Sequence, residues 1–268
     1  MMSSLAAALR PSRYAQSLGF EPDEHQVAIL DSKAERIILN TTRQFGKSTV
    51  IAQKALHRAK YLPRQLVLLL SPSQRQSREL FGKVSQFLDA DPQPPKIERQ
   101  TMEGVDFANG SRILSLPGTE STVRGFTADL LIVDEAARVD DGLFYSIRPM
   151  LAVSQGALIL MSTPWAKRGF FYEVWSSGGD TWERHEVPAT DVPRIPADFL
   201  EEERRILPET WFEREYMCRF VDESGGVFKH EHIIGAFDPE LTALELGPHD
   251  FSISALDALD PNIEELDP

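Results

Sequence analysis

Residues 41 to 48, Thr41-Thr42-Arg43-Gln44-Phe45-Gly46-Lys47-Ser48, have the types and order needed to hold a phosphate. They follow a short apolar run, Ile37-Ile38-Leu39, and precede a helical pattern that begins near Thr49. A loop between a strand and a helix turns backbone N–H groups and the positive end of the helix dipole toward an anion. Lys47 adds a point charge, and the Ser48 hydroxyl is the kind of ligand that takes the magnesium accompanying a nucleotide. The leading glycine of the usual Gxxxx-GK[ST] pattern is replaced by Thr41.

Downstream, Asp129-Leu130-Leu131-Ile132-Val133-Asp134-Glu135 reads as a buried strand that ends in two carboxylates. A continuous apolar run suits a parallel strand covered on both faces, and acids at its carboxyl end stand where open α/β sheets bind ligands. In phosphate-loop enzymes the first acid (here Asp134) holds the magnesium, usually through water, and the second (Glu135) orients and deprotonates the attacking water. An acidic helix cap would explain an isolated pair, but not one that follows Gly46-Lys47-Ser48. A third apolar run, Ala157 to Met161, ends in Ser162-Thr163-Pro164, whose hydroxyls can report the presence or loss of a γ-phosphate. Pro164 allows no further ladder bonding there.

Together these residues closely resemble the ATPase domain of large terminase subunits, the motors that pump DNA into viral capsids. The resemblance runs from about Phe20 to Phe228. It rests on the Arg43-Gln44 pair before Gly46-Lys47, on Arg124-Gly125 ten residues before Asp134, and on Ser162-Thr163-Pro164 as the coupling motif. Glu21 to Gln26 is similar to the family's adenine-recognition segment, and Phe212-Glu213-Arg214-Glu215-Tyr216 to its closing helix. The resemblance implies an α/β phosphate-loop NTPase of the RecA/ASCE-like kind that uses ATP and magnesium. It implies Gln26 as the base-reading side chain and Thr41 to Thr49 with Asp134 as the nucleotide site. It also makes Arg43 and Arg124 candidates for the arginine that neutralises the transferring phosphoryl group, the first within its own subunit and the second reaching a neighbour's. Implied partners are double-stranded DNA without base-edge readout, a portal protein and a small terminase subunit. The implied assembly is a homo-oligomeric ring, a pentamer on the capsid, in the bacterial host's cytoplasm.

Composition sets bounds. The chain has 268 residues, 42% hydrophobic, enough for one large core. It has no run of eighteen apolar residues, so no membrane span is expected, and its first ten residues lack the features of a signal peptide. Cys218 stands alone and is expected to pack. His230 and His232 lack partners at zinc-like spacing. The formal charge of −13 is unevenly spread: residues 222 to 268 hold twelve acids and one lysine. Residues 1 to 221 are left with 27 basic and 29 acidic groups, near neutrality. Arg75, Arg78, Lys83, Arg148, Lys167 and Arg168 are candidate DNA contacts, and a solvated helix face explains them equally well.

The pattern predicts a central, mostly parallel sheet flanked by helices. A small hairpin, Glu103–Phe107 and Ser111–Leu116, turns at Asn109-Gly110. Residues 1 to 19 read as a mobile lead-in, 20 to 228 as the ATPase domain, and 229 to 268 as an acidic tail. That tail is too short for a nuclease fold, so Asp250, Asp257 and Asp260 are read as solvated. Two other functions fit parts of the pattern. A helicase-like translocase shares the phosphate loop and acid pair but needs a second lobe, and a non-catalytic terminase-derived assembly module needs neither Lys47 nor Glu135.

Overall fold

The computed structural model describes residues 2–118 and 125–222. Its centre is an eight-stranded sheet in the order β3-β4-β5-β2-β6-β7-β1-β8. The strands are β1 (Arg36–Thr41), β2 (Leu66–Ser71), β3 (Ile97–Gln100), β4 (Gly104–Phe107), β5 (Arg112–Pro117), β6 (Leu130–Asp134), β7 (Ala157–Ser162) and β8 (Glu183–Val187). Six of them, β5-β2-β6-β7-β1-β8, pair in parallel. β3 and β4 add an antiparallel edge through the predicted hairpin. Gly110, at φ 81°, supplies the left-handed residue that its turn requires.

Both faces of the sheet are covered, and the residues alternate between them as pleating demands. Ile37, Leu39, Val67, Leu69, Ile132 and Ile159 join one apolar cluster. Ile38, Leu68, Leu70, Leu131, Val133 and Leu160 join the other. The first cluster is closed by α2 (Pro11–Ser17), α3 (Glu24–Asp31), α4 (Lys47–Tyr61) and α5 (Gln74–Asp89). The second is closed by α6 (Asp141–Ile147) and α7 (Gly169–Ser177). On α4 the buried set Val50, Ile51, Ala55, Leu56 and Ala59 recurs at helical spacing, so burial and periodicity agree. Among the described residues, no helix is long and apolar enough to cross a membrane.

The stretch read as a mobile lead-in, residues 1 to 19, carries two helices. Residues 2 to 17 form α1 (Met2–Leu9) and α2, and Ala7, Tyr14 and Ala15 are buried. The side chain and N–H of Ser12 donate to Asp31 at 2.7 and 2.9 Å. The Tyr14 hydroxyl donates to Asp91 at 2.7 Å, and Lys60 Nζ reaches the same carboxylate at 2.6 Å. Three chain segments thus meet at one buried acid. Helices this short gain their order from such tertiary contacts rather than from propensity. The helical pair predicted over residues 197 to 220 appears as α8 (Ala197–Ile206) and α9 (Glu209–Glu215), broken at Pro208. The acidic tail, with Asp250, Asp257 and Asp260, and the histidines at 230 and 232 lie outside the described residues.

Asp91 is 6% exposed and Lys60 is its ion-pair partner, so removing the lysine leaves a charge stranded in the interior. Lys60→Met is expected to destabilise the fold by about 3 kcal/mol. Urea denaturation measures this, and a loss below about 1 kcal/mol would show the pair to be no more than a surface contact.

Candidate active site

Strands β6, β7 and β1 are neighbours, so the three segments with chemical potential leave the sheet side by side. The register pairs Asp134 with Met161 and Asn40 with Ser162, which aligns the strand ends to within a residue. One strand, β7, separates the phosphate-loop strand from the strand carrying the acids.

The loop after β1 is held from beneath and from one side. Gly46 has φ 90°, a conformation that costs other residues, and a Cβ there would meet the Gln26 side chain at 3.3 Å. Gln26 Nε2 donates to the Phe45 carbonyl at 2.9 Å, and so does Arg194. Gln26 also completes a capping box with Asp23 at the start of α3. At 1% exposure, Gln26 lies under the loop as a buttress. Thr41 is buried at the end of β1, where the sequence pattern usually has glycine. Thr42 N–H donates to Val187 and its hydroxyl to the Glu215 carbonyl, which ties the loop to β8 and to the end of α9. Gln44 takes a left-handed φ of 63°. Arg43 forms an ion pair with Glu215, whose side chain is buried.

Across a cleft of about 440 Å³ stands Glu135. Its backbone is left-handed, φ 49°, a strained state for a non-glycine residue that aims the side chain off the end of β6. Oε1 lies 3.5 Å from Lys47 Nζ, while Oε2 lies 3.8 Å from Arg138 Nε and accepts from the Ser162 hydroxyl at 3.4 Å. The cleft is lined by Arg43, Lys47, Lys83 and Arg138, with Ser48, Gln44 and Gly46. Lys83 donates to Thr49 Oγ1 at 3.3 Å. Four cations and one carboxylate lining a single cleft, at a helix N-terminus, make a site suited to a polyanion.

Asp134 is 7% exposed, and its Oδ1 accepts from the Glu135 N–H at 2.9 Å. Burial, with the neighbouring Glu135 charge, pushes its carboxyl up to about 6, against the opposing pull of Lys47. Among the described residues no three His, Cys, Asp or Glu side chains gather into a metal cage. The donors at hand, the Ser48 hydroxyl and the Asp134 carboxylate, are the oxygen ligands magnesium takes when nucleotide phosphates complete its shell. The residues fit that ion.

Of the predicted site residues, Arg43, Gln44, Gly46, Lys47, Ser48 and Glu135 line one cleft. The Thr49 N–H donates to the Gly46 carbonyl, and the Ser162 hydroxyl to Glu135, both members of that set. Thr163 is buried beside Ser162 at the end of β7. Arg124 lies outside the described residues. Lys83 and Arg138 were not assigned to the site from sequence. Lys83 reads from sequence as a candidate DNA contact or a cation on a solvated helix face, and Arg138 is placed by a 3₁₀ turn, Ala136–Arg138, that no periodicity marks. Of the candidate DNA contacts, Arg78 pairs with Glu103 at 3.0 Å and Arg148 stacks on Phe144.

The family profile described as terminase large subunit, T4-like virus type, N-terminal, matches residues 38–233. The chain belongs to that family. It is 26% identical to the large terminase subunit of Thermus virus P23-45 over 259 residues, covering 82% of this chain and 53% of that protein. With the large terminase subunit of Escherichia phage T5 it shares 26% identity, covering 78% of this chain and 50% of the relative. The chain therefore spans about half the length of the curated relatives it matches. In three dimensions it is similar to the large terminase ATPase domain of Thermus phage P74-26, with a TM-score of 0.68 and 26% identity, over 80% of this chain and 100% of that one. The α/β phosphate-loop fold read from the terminase resemblance is the fold observed.

The buried Asp134 carboxyl makes stability depend on pH. Its folded pKa lies above the ordinary 3.8, so the folded state keeps a proton that the unfolded chain releases between pH 4 and 6. Without magnesium, wild type should lose on the order of 2–3 kcal/mol relative to Asp134→Asn as the pH rises from 4 to 7. Urea denaturation at the two pH values checks this, and a pH-independent difference would contradict the burial penalty.

Proposed function

We propose that this chain binds ATP with magnesium and hydrolyses it to move double-stranded DNA, as the ATPase part of a large terminase. The observation that carries the reading is the cleft itself. The phosphate-loop lysine and an acid in a strained, outward-aimed conformation face each other at 3.5 Å across a ring of cations.

In this reading Lys47 grips the β- and γ-phosphates, and the loop N–H groups complete the cradle. Ser48 and Asp134 hold the magnesium, which supplies charge neutralisation on the phosphate oxygens. Glu135 orients a water for in-line attack and takes its proton. Ser162, whose hydroxyl already reaches Glu135, and Thr163 tie the state of the γ-phosphate to β7. Gln26 fixes the loop at the adenine end of the site. Arg43 lies on the loop's outer side, released from Glu215 when it neutralises phosphoryl charge, and Arg124 is the candidate supplied to a neighbouring subunit. The partners that go with this function are DNA, a portal protein and a small subunit. The assembly is a ring, a pentamer on the capsid, in the host cytoplasm. DNA is held through its phosphates, without base readout.

The test is ATP hydrolysis with magnesium across a range of protein concentration. Lys47→Ala and Glu135→Ala are each expected to lower turnover by about 10³-fold or more, and Glu135→Ala to retain ATP binding. Turnover that rises faster than linearly with concentration, and an Arg124→Ala defect that depends on assembly, would mark a residue supplied between subunits. Normal hydrolysis by Glu135→Ala would overturn the assignment. A silent wild type at every concentration, alone and with DNA, would favour a docking module that does not turn over ATP.

A further inference from the structure

The cleft is framed by a second set of contacts that neither the motifs nor the reaction calls for. Just past Pro164 stands Trp165, half-buried, and two guanidinium groups lie on its ring. Arg138 is 4.4 Å from the ring centroid and Arg214 is 4.2 Å from it. Arg214 in turn lies 4.3 Å from the ring of Trp211. Stacking distances of this kind bind a guanidinium without using its N–H groups.

Each arginine leads to a different carboxylate of the site. Arg138 reaches Glu135. Arg214 is 8% exposed, and its Nη2 is buried with no hydrogen-bond partner. Its Nε contacts Glu215 at 3.3 Å, and Glu215 holds Arg43 of the phosphate loop. A buried guanidinium nitrogen without an acceptor is costly, so the stacking on Trp165 and Trp211, beside the one hydrogen bond to Glu215, is what holds Arg214 in place. The two ends of the chain of contacts, Glu135 and Arg43, both line the cleft. Trp165 is anchored from behind, where its carbonyl accepts from Val221 and the neighbouring Lys167 N–H donates back to Val221.

We infer that Trp165 is a positioning residue, a strut shared by Arg138 and Arg214. It fixes the carboxylate at Glu135 and the guanidinium at Arg43 relative to each other across the phosphate cleft. It stands at the exit of β7, where the hydroxyls of Ser162 and Thr163 end, so movement of that strand end moves both sides of the site together. The inference rests on the ATPase reading for its effect on rate, and on binding alone for its effect on coupling.

Two measurements on the full chain test it. In ATP hydrolysis, Trp165→Leu should lower kcat by about 10–100-fold with KM for ATP changed by no more than about twofold. Trp165→Phe, which keeps an aromatic face, should recover most of the rate. In titrations with a fluorescent ATP analogue, Arg43→Ala and Arg138→Ala should weaken binding non-multiplicatively when combined, by about threefold from the product. That departure should vanish when Trp165→Leu is added. Multiplicative losses in the Trp165 background, a departure that persists with Trp165→Leu, or Trp165→Phe as impaired as Trp165→Leu would each overturn the strut. A wild type that hydrolyses nothing but shows the Trp165-dependent coupling would instead sink the ATPase reading and leave the strut standing.

Discussion

The N-terminus of α4 concentrates positive charge in one place, and much of the structure is arranged to meet it. The helix dipole, Lys47, Arg43, Lys83 and Arg138 all point into or border the same cleft. Cations crowded this way repel unless negative charge is brought among them. Within the protein that charge comes from Glu135 in the cleft and from the buried Glu215, each pairing with a cation of the cleft. Glu135 takes up this role with a left-handed backbone, and Glu215 while almost fully buried. A polyphosphate would supply the same negative charge more fully, and would free Glu135 for water and Arg43 for the transferring group.

The sheet makes this economical. Adjacent strands β6, β7 and β1 end at one level, so an acid pair, a hydroxyl pair and a phosphate loop arrive together without long excursions. Gln26 and Arg194 hold the one carbonyl, that of Phe45, whose position sets the left-handed turn at Gly46. The loop is thus pinned at that carbonyl from two sides. Its outer side depends on the more distant α9, through Thr42 and Arg43.

Much of this was legible in the chain. Continuous apolar runs mark β1, β2, β6 and β7 because both faces of those strands are buried, and Asn109-Gly110 marks the hairpin because only such a pair turns it cheaply. The elements that escaped are those specified by distant partners. β3, Ile97–Gln100, is exposed at every position and shows no alternation. α1 and α2 are short, and α2 is pinned by Asp31 and Asp91, residues far along the chain. The terminase resemblance named Gln26 for the adenine end of the site, but only the fold shows its amide spent on the Phe45 carbonyl and on Asp23. In the same way Arg138, Trp165 and Arg214 each look like ordinary polar or surface residues until three separate segments bring them together.

The central claim is that the cleft lined by Lys47 and Glu135 is a nucleotide-phosphate site whose charge is incomplete without its anion. Calorimetric titration of a non-hydrolysable ATP analogue with magnesium, into wild type and Lys47→Ala, addresses it most directly. The account predicts one site per chain in wild type and binding weakened by about 100-fold or more in Lys47→Ala. Equal affinity in the two proteins would place the nucleotide elsewhere and contradict the account.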